Sequence, residues 1–353
     1  MAAKVKKSTI KDVAREAGVS IATVSFVLNN RPGQVISEPV KKRVMKAAHK
    51  LNYHPSAIAA GLASKRPGNI AIVFYKSEDL VSNLYYSFVL EGAIREAAKL
   101  SVNIMFSYMD EDWEERGDLP KVVREGSTAG VIFIKEIHPD MVRDIERRGV
   151  PVVLVDHYPL MDNVNAVEID NFRGGQLPVE HLVELGHRDI VYLYSNEDRP
   201  SIRGRLEGFE AAMRKANISF SKASHLRKCR EFTFYSARDL AMDLLQHEDR
   251  PSAIVCANDE LASGVLRAAQ RLNIKVPDEL SVVGFDNITM GYYTDPALTT
   301  VSGDKEGLGA HAVRRLMSAV HEEESTAVME ILPVELIVRE STGLAPRSNN
   351  EKD

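Results

Sequence analysis

The chain has 353 residues, of which 44% are hydrophobic and 27% charged, a composition typical of a water-soluble globular protein. At about 150 residues per domain, this length predicts two or three domains. No apolar run approaches the roughly 18 residues that a membrane-spanning helix needs, and the N-terminus lacks the apolar segment of a secretory signal. Membrane and secreted proteins are therefore disfavoured, and a cytoplasmic location is expected. The two cysteines, Cys229 and Cys256, are too few for a disulfide framework or a zinc site.

The net charge of −5 conceals an uneven distribution of charged residues. Residues 1–66 contain 13 lysine or arginine residues and three acidic ones, so the rest of the chain is strongly acidic. A basic head joined to an acidic body is typical of a polyanion-binding module attached to a second domain. Charge by itself is compatible with nucleic acid, with an anionic membrane surface or with a merely solubilising pattern, so the choice depends on the motifs.

Three short helices are predicted in the basic head. Thr9 and Asp12 have the spacing of a capping box at the start of the first helix, and Gly18 ends it. Ser20 is positioned to cap a second helix and Ser37 a third, which has one apolar and one basic face. Two short helices across a glycine turn, followed by a third, are typical of a helix-turn-helix unit. A generic helical bundle is the alternative, which the spacing and the charge disfavour.

In the acidic body, apolar runs alternate with amphipathic helical patterns. Buried runs joined by helices are typical of parallel sheets covered on both faces. Because about 270 residues are too many for one comfortable sheet, we predict two α/β lobes. The predicted strands are Asn69–Tyr75, Val102–Tyr108, Gly130–Ile134, Val150–Val155, Asp189–Tyr194, Ala253–Cys256 and Leu280–Phe285.

Polar residues follow many of these strands, at the end where such folds bind ligands. Donors and acceptors gathered in a cleft between two lobes suit a small polar ligand such as a sugar or a nucleobase. Each residue by itself is more often a turn or capping residue, so their convergence carries the binding interpretation. These residues are Ser77, Asp110, Lys135, Asp156, His157, Asn196, Asn258, Asp259, Asp286 and Asn287.

Enzymatic and metal-binding alternatives find little support in the motifs. The sequence has no GxGxxG after its first strand, no GxxxxGK[ST] loop and no GxSxG nucleophile elbow. His181 and His187 do not share a helix face, and the histidine–glutamate run at 321–324 lacks the HExxH spacing. We therefore predict no catalytic residue, no cofactor and no metal. A sugar-binding transport protein would fit the body, but the basic head and the missing signal disfavour it.

The basic head resembles the N-terminal signature of the lactose-repressor (LacI/GalR) family of bacterial transcription regulators. The segments that carry this resemblance are TIKDVAREAGVSIATVSFVLNN and VKKRVMKAAHKLNYHPSAIAAGLAS. The body is similar to the family's effector domain in VPVVLVD, GGQLPVEHLVELGHRDIVYL, PSAIVCANDELASGVLRAAQRLNIKVPDELSVVGFDN and DPALTTV. The likeness implies an N-terminal all-α helix-turn-helix domain (residues 1–51), a hinge helix and linker (52–66), a two-lobed α/β effector domain of the periplasmic-binding-protein type (67–340) and a polar tail (341–353).

For DNA, the resemblance implies a repressor that binds a pseudo-palindromic operator as a homodimer. Residues 20–28 would form the recognition helix, and Leu62 would enter the minor groove from the hinge. Phe26 stands where family members often have arginine or histidine. Because phenylalanine cannot donate paired hydrogen bonds to guanine, methyl contacts or DNA shape should matter more here. The residues implied in DNA binding are Thr9, Ser20, Ile21, Ala22, Thr23, Ser25, Phe26, Asn29, Tyr53, Ser56, Ala57 and Leu62.

For the effector, the resemblance implies a small molecule, a sugar or sugar derivative, held between the two lobes. A phosphoprotein corepressor, used by some family members, is an open alternative. The implied ligand contacts are Asp156, Arg205, Asn258 and Asp286, with Tyr85 and Tyr86 as pocket walls.

The tail contains no heptads, so we expect a dimer without a tetramer-forming helix.

Overall fold

A computed structural model of the chain describes residues 8–28, 36–53, 68–75, 83–109, 118–134, 137–156, 163–195, 200–321 and 326–346. The chain divides into two compact units, one formed mainly by the residues up to Asn69 and the other by the rest. Within the described ranges, no helix is long and apolar enough to cross a membrane.

The first unit contains the three predicted helices: α1 (Ile10–Ala17), α2 (Ile21–Leu28) and α3 (Glu38–Lys50). Small side chains from all three form its core: Val13, Ala14, Ala17, Val24, Val44, Ala47 and Ala48. Such small residues allow short helices to approach closely, so a compact core forms from few residues.

The predicted ends of these helices are mostly confirmed. Gly18 has the left-handed φ of +64° and ends α1. The Ser20 hydroxyl accepts a hydrogen bond from the Thr23 amide at 3.0 Å and so caps α2. Ser37 occupies the position before α3, but its side chain makes no capping hydrogen bond.

The second unit contains two lobes, each built on a six-stranded sheet, as predicted. The first sheet has the order β11-β5-β4-β3-β1-β2, with β1 (Asn69–Tyr75), β2 (Asn103–Met109), β3 (Val131–Ile134), β4 (Val152–Val155), β5 (Asn165–Ile169) and β11 (Met329–Leu332). The second has the order β12-β10-β9-β8-β6-β7, with β6 (Ile190–Ser195), β7 (Leu226–Cys229), β8 (Ala253–Cys256), β9 (Ser281–Phe285), β10 (Thr299–Gly303) and β12 (Val334–Ile337).

Helices connect the strands, as expected for mostly parallel sheets. They are α4 (Leu84–Lys99), α5 (Lys121–Arg124), α6 (Pro139–Glu146), α7 (Asn171–Glu184), α8 (Pro200–Lys215), α9 (Lys222–His225), α10 (Phe234–Leu245), α11 (Asp259–Arg271) and α12 (Lys305–His321), with a 3₁₀ turn at Thr289–Tyr292. The pair β10 and β12 is antiparallel, with Thr300 opposite Ile337. The central pair β3 and β4 is parallel, with Val131 opposite Val152.

All seven predicted strands are present, with ends displaced by up to two residues, but five further strands were not predicted. Three of the five, β7, β11 and β12, lie at the edges of the sheets. Their sequences, LRKC, MEIL and VELI, mix charged and apolar residues. Because an edge strand is half exposed and gains its structure from pairing with a neighbour, a search for continuous apolar runs misses it.

Glycines allow close contacts between helices in both lobes. A Cβ atom on Gly309 of α12 would lie 1.9 Å from the Val89 carbonyl oxygen of α4. A Cβ atom on Gly175 of α7 would lie 1.9 Å from the Arg205 carbonyl oxygen of α8. These helices therefore approach to a distance that only glycine permits, and the second contact fixes the position of Arg205.

Candidate recognition helix and effector cleft

Helix α2 in the first unit has one apolar core face and one open face. Val24 is fully buried, whereas Ile21 and Ala22 are exposed and Ser25 and Phe26 are half-buried. Ile21, Ala22, Ser25 and Phe26 occupy helix positions i, i+1, i+4 and i+5, which lie on one side of the helix. The predicted recognition helix therefore has an open face formed by four of the predicted DNA-binding residues.

Other predicted DNA-binding residues are engaged within the first unit. The Thr9 hydroxyl donates to the Asp12 carboxylate at 2.7 Å, and the Ser20 and Thr23 hydroxyls lie 2.9 Å apart. Tyr53 packs against the helical core. These contacts order the helix ends, and the roles of these residues at DNA stay predictions. Asn29, Ser56, Ala57 and Leu62 lie outside the described residues.

In the second unit, Arg205 of α8 is the centre of a buried polar cluster. It is only 5% exposed. Its Nε donates to Asn171 Oδ1 at 2.9 Å and its Nη1 to the Ala257 carbonyl oxygen at 2.6 Å. Its Nη2 lies 3.5 Å from Asp286 Oδ1, and the guanidinium carbon lies 3.5 Å from the centre of the Phe285 ring. These contacts hold the guanidinium in one orientation.

Asp286 follows β9 in a turn of unusual backbone conformation. Its φ is +100°, and that of Asn287 is +49°, both in the left-handed region. Lys305, the first residue of α12, donates from Nζ to the Asp286 carbonyl oxygen at 2.5 Å and so supports the turn. Burial raises the pKa of Asp286 to about 6, although nearby Arg205 and Lys305 act to lower it.

Two tyrosines and a second aspartate face this cluster. The Tyr86 hydroxyl donates to Asp156 Oδ2 at 2.6 Å. The rings of Tyr85 and Tyr86 meet edge to face, 5.0 Å apart. Burial raises the pKa of Tyr85, and so do the carboxylates of Asp156 and Asp286. Because Asp156 follows β4 and Asp286 follows β9, groups from both lobes act on one phenol.

Several polar atoms of the cluster are buried without a hydrogen bond among the described residues. They are the Tyr85 hydroxyl, Asp156 Oδ1 and Asp286 Oδ1, the last of which has only the longer ion pair to Arg205. A buried polar group without a partner costs free energy, and proteins keep such groups mainly where a ligand or water satisfies them. The cluster therefore offers hydrogen-bonding positions to a bound molecule.

An open cavity of about 650 Å³ borders the cluster at Asn287 and Lys305. Phe88, Tyr292 and Glu306 also line it, so both lobes contribute. Its volume lies within the range of small-molecule sites. It shares the turn that carries Asp286 but does not include Arg205 or Tyr85.

The structure brings together five of the six predicted ligand contacts and gives the sixth another task. Asn258 Oδ1 accepts a hydrogen bond from the Leu261 amide at 2.9 Å and caps α11, as the capping alternative predicts. Its contact with ligand stays a prediction. Asn287, one of the polar residues predicted to follow strands, donates a hydrogen bond to the Ser302 hydroxyl and accepts one from Arg339. Five of the polar residues predicted to follow strands, Ser77, Asp110, Lys135, His157 and Asn196, lie outside the described residues.

Sequence reasoning missed three polar residues of the cluster. Asn171 orients Arg205, Lys305 supports Asp286, and Glu168, 1% exposed on β5, acts electrostatically on Tyr85. Signals for two of them were present. A glutamate within a short apolar strand is costly to bury, and a lysine at the first position of a helix opposes the helix dipole.

Asp259, next to the cluster, is fully buried and holds the turn after β9. It accepts hydrogen bonds from the Thr300 hydroxyl at 2.5 Å and from the Ile288 amide at 2.8 Å. Burial and the Asp286 carboxylate raise the pKa of Asp259 to about 7. A carboxyl group whose pKa is higher in the folded state than in the unfolded state stabilises the fold at low pH. That contribution is lost as the pH rises through about 7.

We therefore expect Asp259→Asn to flatten the loss of stability that accompanies a rise in pH from about 5 to about 8. Urea unfolding of both proteins across this range gives the difference between their free energies of unfolding. Burial lowers the pKa of His187, so this residue makes the fold less stable as the pH falls. Because both proteins contain His187, its effect cancels in the difference. Asp243→Asn, at an exposed position, is the matched control. Parallel curves for the wild type and Asp259→Asn would contradict the prediction.

Two known protein families match parts of this chain. The model of bacterial regulatory proteins of the lacI family matches residues 9–56, and that of the periplasmic binding protein-like domain matches residues 179–342. The HTH-type transcriptional repressor PurR of Vibrio vulnificus is 30% identical over 337 residues, covering 95% of this chain and 98% of that protein.

Two solved structures are similar over most of their length. The Lac repressor dimer bound to operator and the anti-inducer ONPF has a TM-score of 0.81 and 26% identity, covering 96% of this chain and 100% of that one. A LacI family transcriptional regulator from Enterococcus faecium with bound ribose has a TM-score of 0.69 and 25% identity, covering 78% of this chain and 98% of that one.

Proposed function

Because this chain belongs to the lacI family of bacterial regulatory proteins, we propose that it is a repressor that binds a pseudo-palindromic operator as a homodimer and responds to a small polar effector. Family membership makes it a DNA-binding transcription regulator and not an enzyme. The dimer, the operator symmetry and the effector are the parts that we propose. The observation that carries the proposal is the buried cluster of Arg205, Asp286, Asp156 and Tyr85, which joins both lobes and has hydrogen-bonding positions to spare.

A sugar or sugar derivative fits this cluster chemically. Sugar hydroxyls donate and accept at once, so they can satisfy both the free carboxylate oxygens and the Tyr85 hydroxyl. The fixed guanidinium of Arg205 can donate to ring or hydroxyl oxygens. The related Enterococcus faecium regulator holds ribose, which supports the same class of ligand here.

The effector would control operator binding through the lobes. A ligand that binds one lobe arrangement better than another shifts the population towards it. In the proposed homodimer, this shift would alter operator affinity through the hinge that the family resemblance implies for residues 52–66. Leu62, the predicted minor-groove residue, belongs to a segment outside the described residues.

A thermal-shift screen of the full chain tests the effector proposal. The panel contains sugars, sugar phosphates, nucleosides and purines, and a ligand at a hundredfold excess over its Kd stabilises the folded state by about 2.7 kcal/mol. We expect a sugar or sugar derivative to give this shift and to change operator affinity in a gel-shift assay. No shift across the panel would contradict the proposal and favour a protein corepressor.

Exposed apolar side chains on the first lobe support the dimer. Phe106 and Tyr108 lie on β2, the terminal strand of its sheet, and are 46% and 56% exposed. The neighbouring helix α4 exposes Ile94, and Leu100, which directly follows this helix, is also exposed. Exposed apolar patches of this kind mark interaction surfaces, and an edge strand is a ready pairing site. The similar Lac repressor is a dimer.

We expect Tyr108→Asp to raise the dimer dissociation constant about tenfold or more, because it places a charge in an apolar interface. Sedimentation velocity over a dilution series measures the constant. Leu344→Asp is the control, since Leu344 is 76% exposed and lies in the second lobe's C-terminal segment. Equal effects of the two substitutions on the dissociation constant would contradict the assignment of this surface to the dimer interface.

A further inference from the structure

The open face of α2 carries no charged side chain that could hydrogen-bond to a base edge. The helix IATVSFVL contains no acidic or basic residue. Ile21 is 44% exposed, Ala22 is exposed, and Phe26 is half-buried without belonging to the helical core. The hydroxyls at the start of the helix, Ser20 and Thr23, are hydrogen-bonded to each other. The largest side chains on this face are therefore purely apolar.

The two helices that pack against α2 carry seven exposed cations against three acidic residues, and the excess comes from α3. Exposed cations lie on α1 and α3: Lys11, Arg15, Lys41, Lys42, Arg43, Lys46 and Lys50. Within the described residues, Lys41, Lys50 and Arg15 form ion pairs with acidic side chains, and these pairs are solvent-exposed and weak. Such charge complements the phosphate backbone of DNA, so DNA is the occupant that this apolar face fits.

From these two observations, and resting on the proposed operator binding, we infer that this regulator reads its operator mainly through the 5-methyl groups of pyrimidines. Among the base edges in the major groove, the thymine methyl is the apolar group. Ile21 and Phe26 are five residues apart, or about 7.5 Å along the helix axis, so each can contact a different base. Each half-site therefore contains two methyl-bearing pyrimidines.

Two other modes of reading DNA differ from methyl contact in what they require of this helix. Paired hydrogen bonds to guanine need an arginine or lysine, which the open face lacks. Reading by DNA shape depends on the deformability of the duplex and on groove width. Loss of one methyl group at a contacted base should therefore affect it little. Removing single methyl groups without changing base pairing separates methyl contact from both.

The test begins with selection of duplexes from a random pool by the full chain. In the enriched duplex, each thymine is replaced in turn by uracil, which pairs identically but lacks the methyl group. We expect a loss of about fourfold at each of two thymines per half-site, the factor for burying one methyl-sized group. Replacing the same T·A pair by 5-methylcytosine·guanine should retain most of the affinity, whereas cytosine·guanine should not.

Variants assign the contact to its residue. Phe26→Ala should abolish the difference between thymine and uracil at one position of each half-site while retaining it at the other. Met45→Ala, which removes an exposed apolar side chain of α3, should retain both differences. The ratio of affinities is informative because a loss of folded protein lowers binding to both duplexes equally.

The possible failures are distinguishable. Equal affinity for the thymine and uracil duplexes, or rejection of 5-methylcytosine, would overturn the methyl inference and leave operator binding intact. A pool that shows no enrichment would overturn the proposed operator binding itself.

Discussion

Asp286→Asn should weaken effector binding by about ten- to a hundred-fold and leave operator binding by the effector-free protein unchanged. A hydrogen bond to an ionised group contributes about 1.5–3 kcal/mol, and asparagine replaces the carboxylate by a neutral group of the same shape. Asp286 is buried beside Arg205, and one of its oxygens accepts no hydrogen bond from the described residues. A ligand hydroxyl that donates to this oxygen loses the charge-assisted bond in the variant.

Isothermal titration with the hit from the screen measures this loss, and a gel shift without effector measures operator binding. Asp278→Asn is the matched control, because Asp278 is an exposed carboxylate of the same lobe. Unchanged effector affinity in Asp286→Asn would place the effector elsewhere. A loss of operator binding without effector would instead indicate that Asp286 acts through the fold.

Gly309→Ala should lower the free energy of unfolding by about 3 kcal/mol, at the upper end of the usual cost of overpacking. The added Cβ atom would lie 1.9 Å from the Val89 carbonyl oxygen and 2.7 Å from the Ala93 amide nitrogen, both on α4. Backbone atoms cannot rotate away as a side chain can, so α4 and α12 must separate. Separation opens the first-lobe core between these helices and the sheet.

Urea unfolding compares this variant with Gly68→Ala, whose Cβ atom would meet no atom within 4 Å. We expect little change in the control. Gly92 makes the reciprocal contact, since its Cβ atom would lie 1.9 Å from the Glu306 carbonyl oxygen on α12. Because one substitution already separates the helices, Gly92→Ala should cost less in the Gly309→Ala background than alone. Full additivity, or a stable Gly309→Ala variant, would contradict close packing here.

Local sequence patterns predicted the elements whose cause is local. The helices of the first unit follow from apolar periodicity, the Gly18 turn and the Ser20 cap, all within a few residues of one another. The seven strands with continuous apolar runs were found for the same reason. Edge strands β7, β11 and β12 were not, because their stability comes from pairing with a neighbouring strand.

Some residues of the effector cluster were predicted from the family resemblance, and others were found only in the structure. Arg205, Asp286 and Asp156 were assigned through similarity to a family, which supplies positions but no contacts. The partners that hold them were missed: Asn171 is 34 residues from Arg205, and Lys305 is 19 residues from Asp286. No local pattern connects such pairs, and their charges are tolerated only because the fold brings them together.

By itself, then, the sequence determined the helix-turn-helix head with its excess of basic residues and the alternation of strands and helices in the body. These are properties of periodicity, capping and charge that neighbouring residues settle among themselves. Only the tertiary structure decided which carboxylate faces Arg205, that Tyr85 lies within the fields of Asp156 and Asp286, and that Gly309 must stay a glycine. Those features arise where distant segments meet at close range, and their energies depend on distances that no local sequence pattern contains.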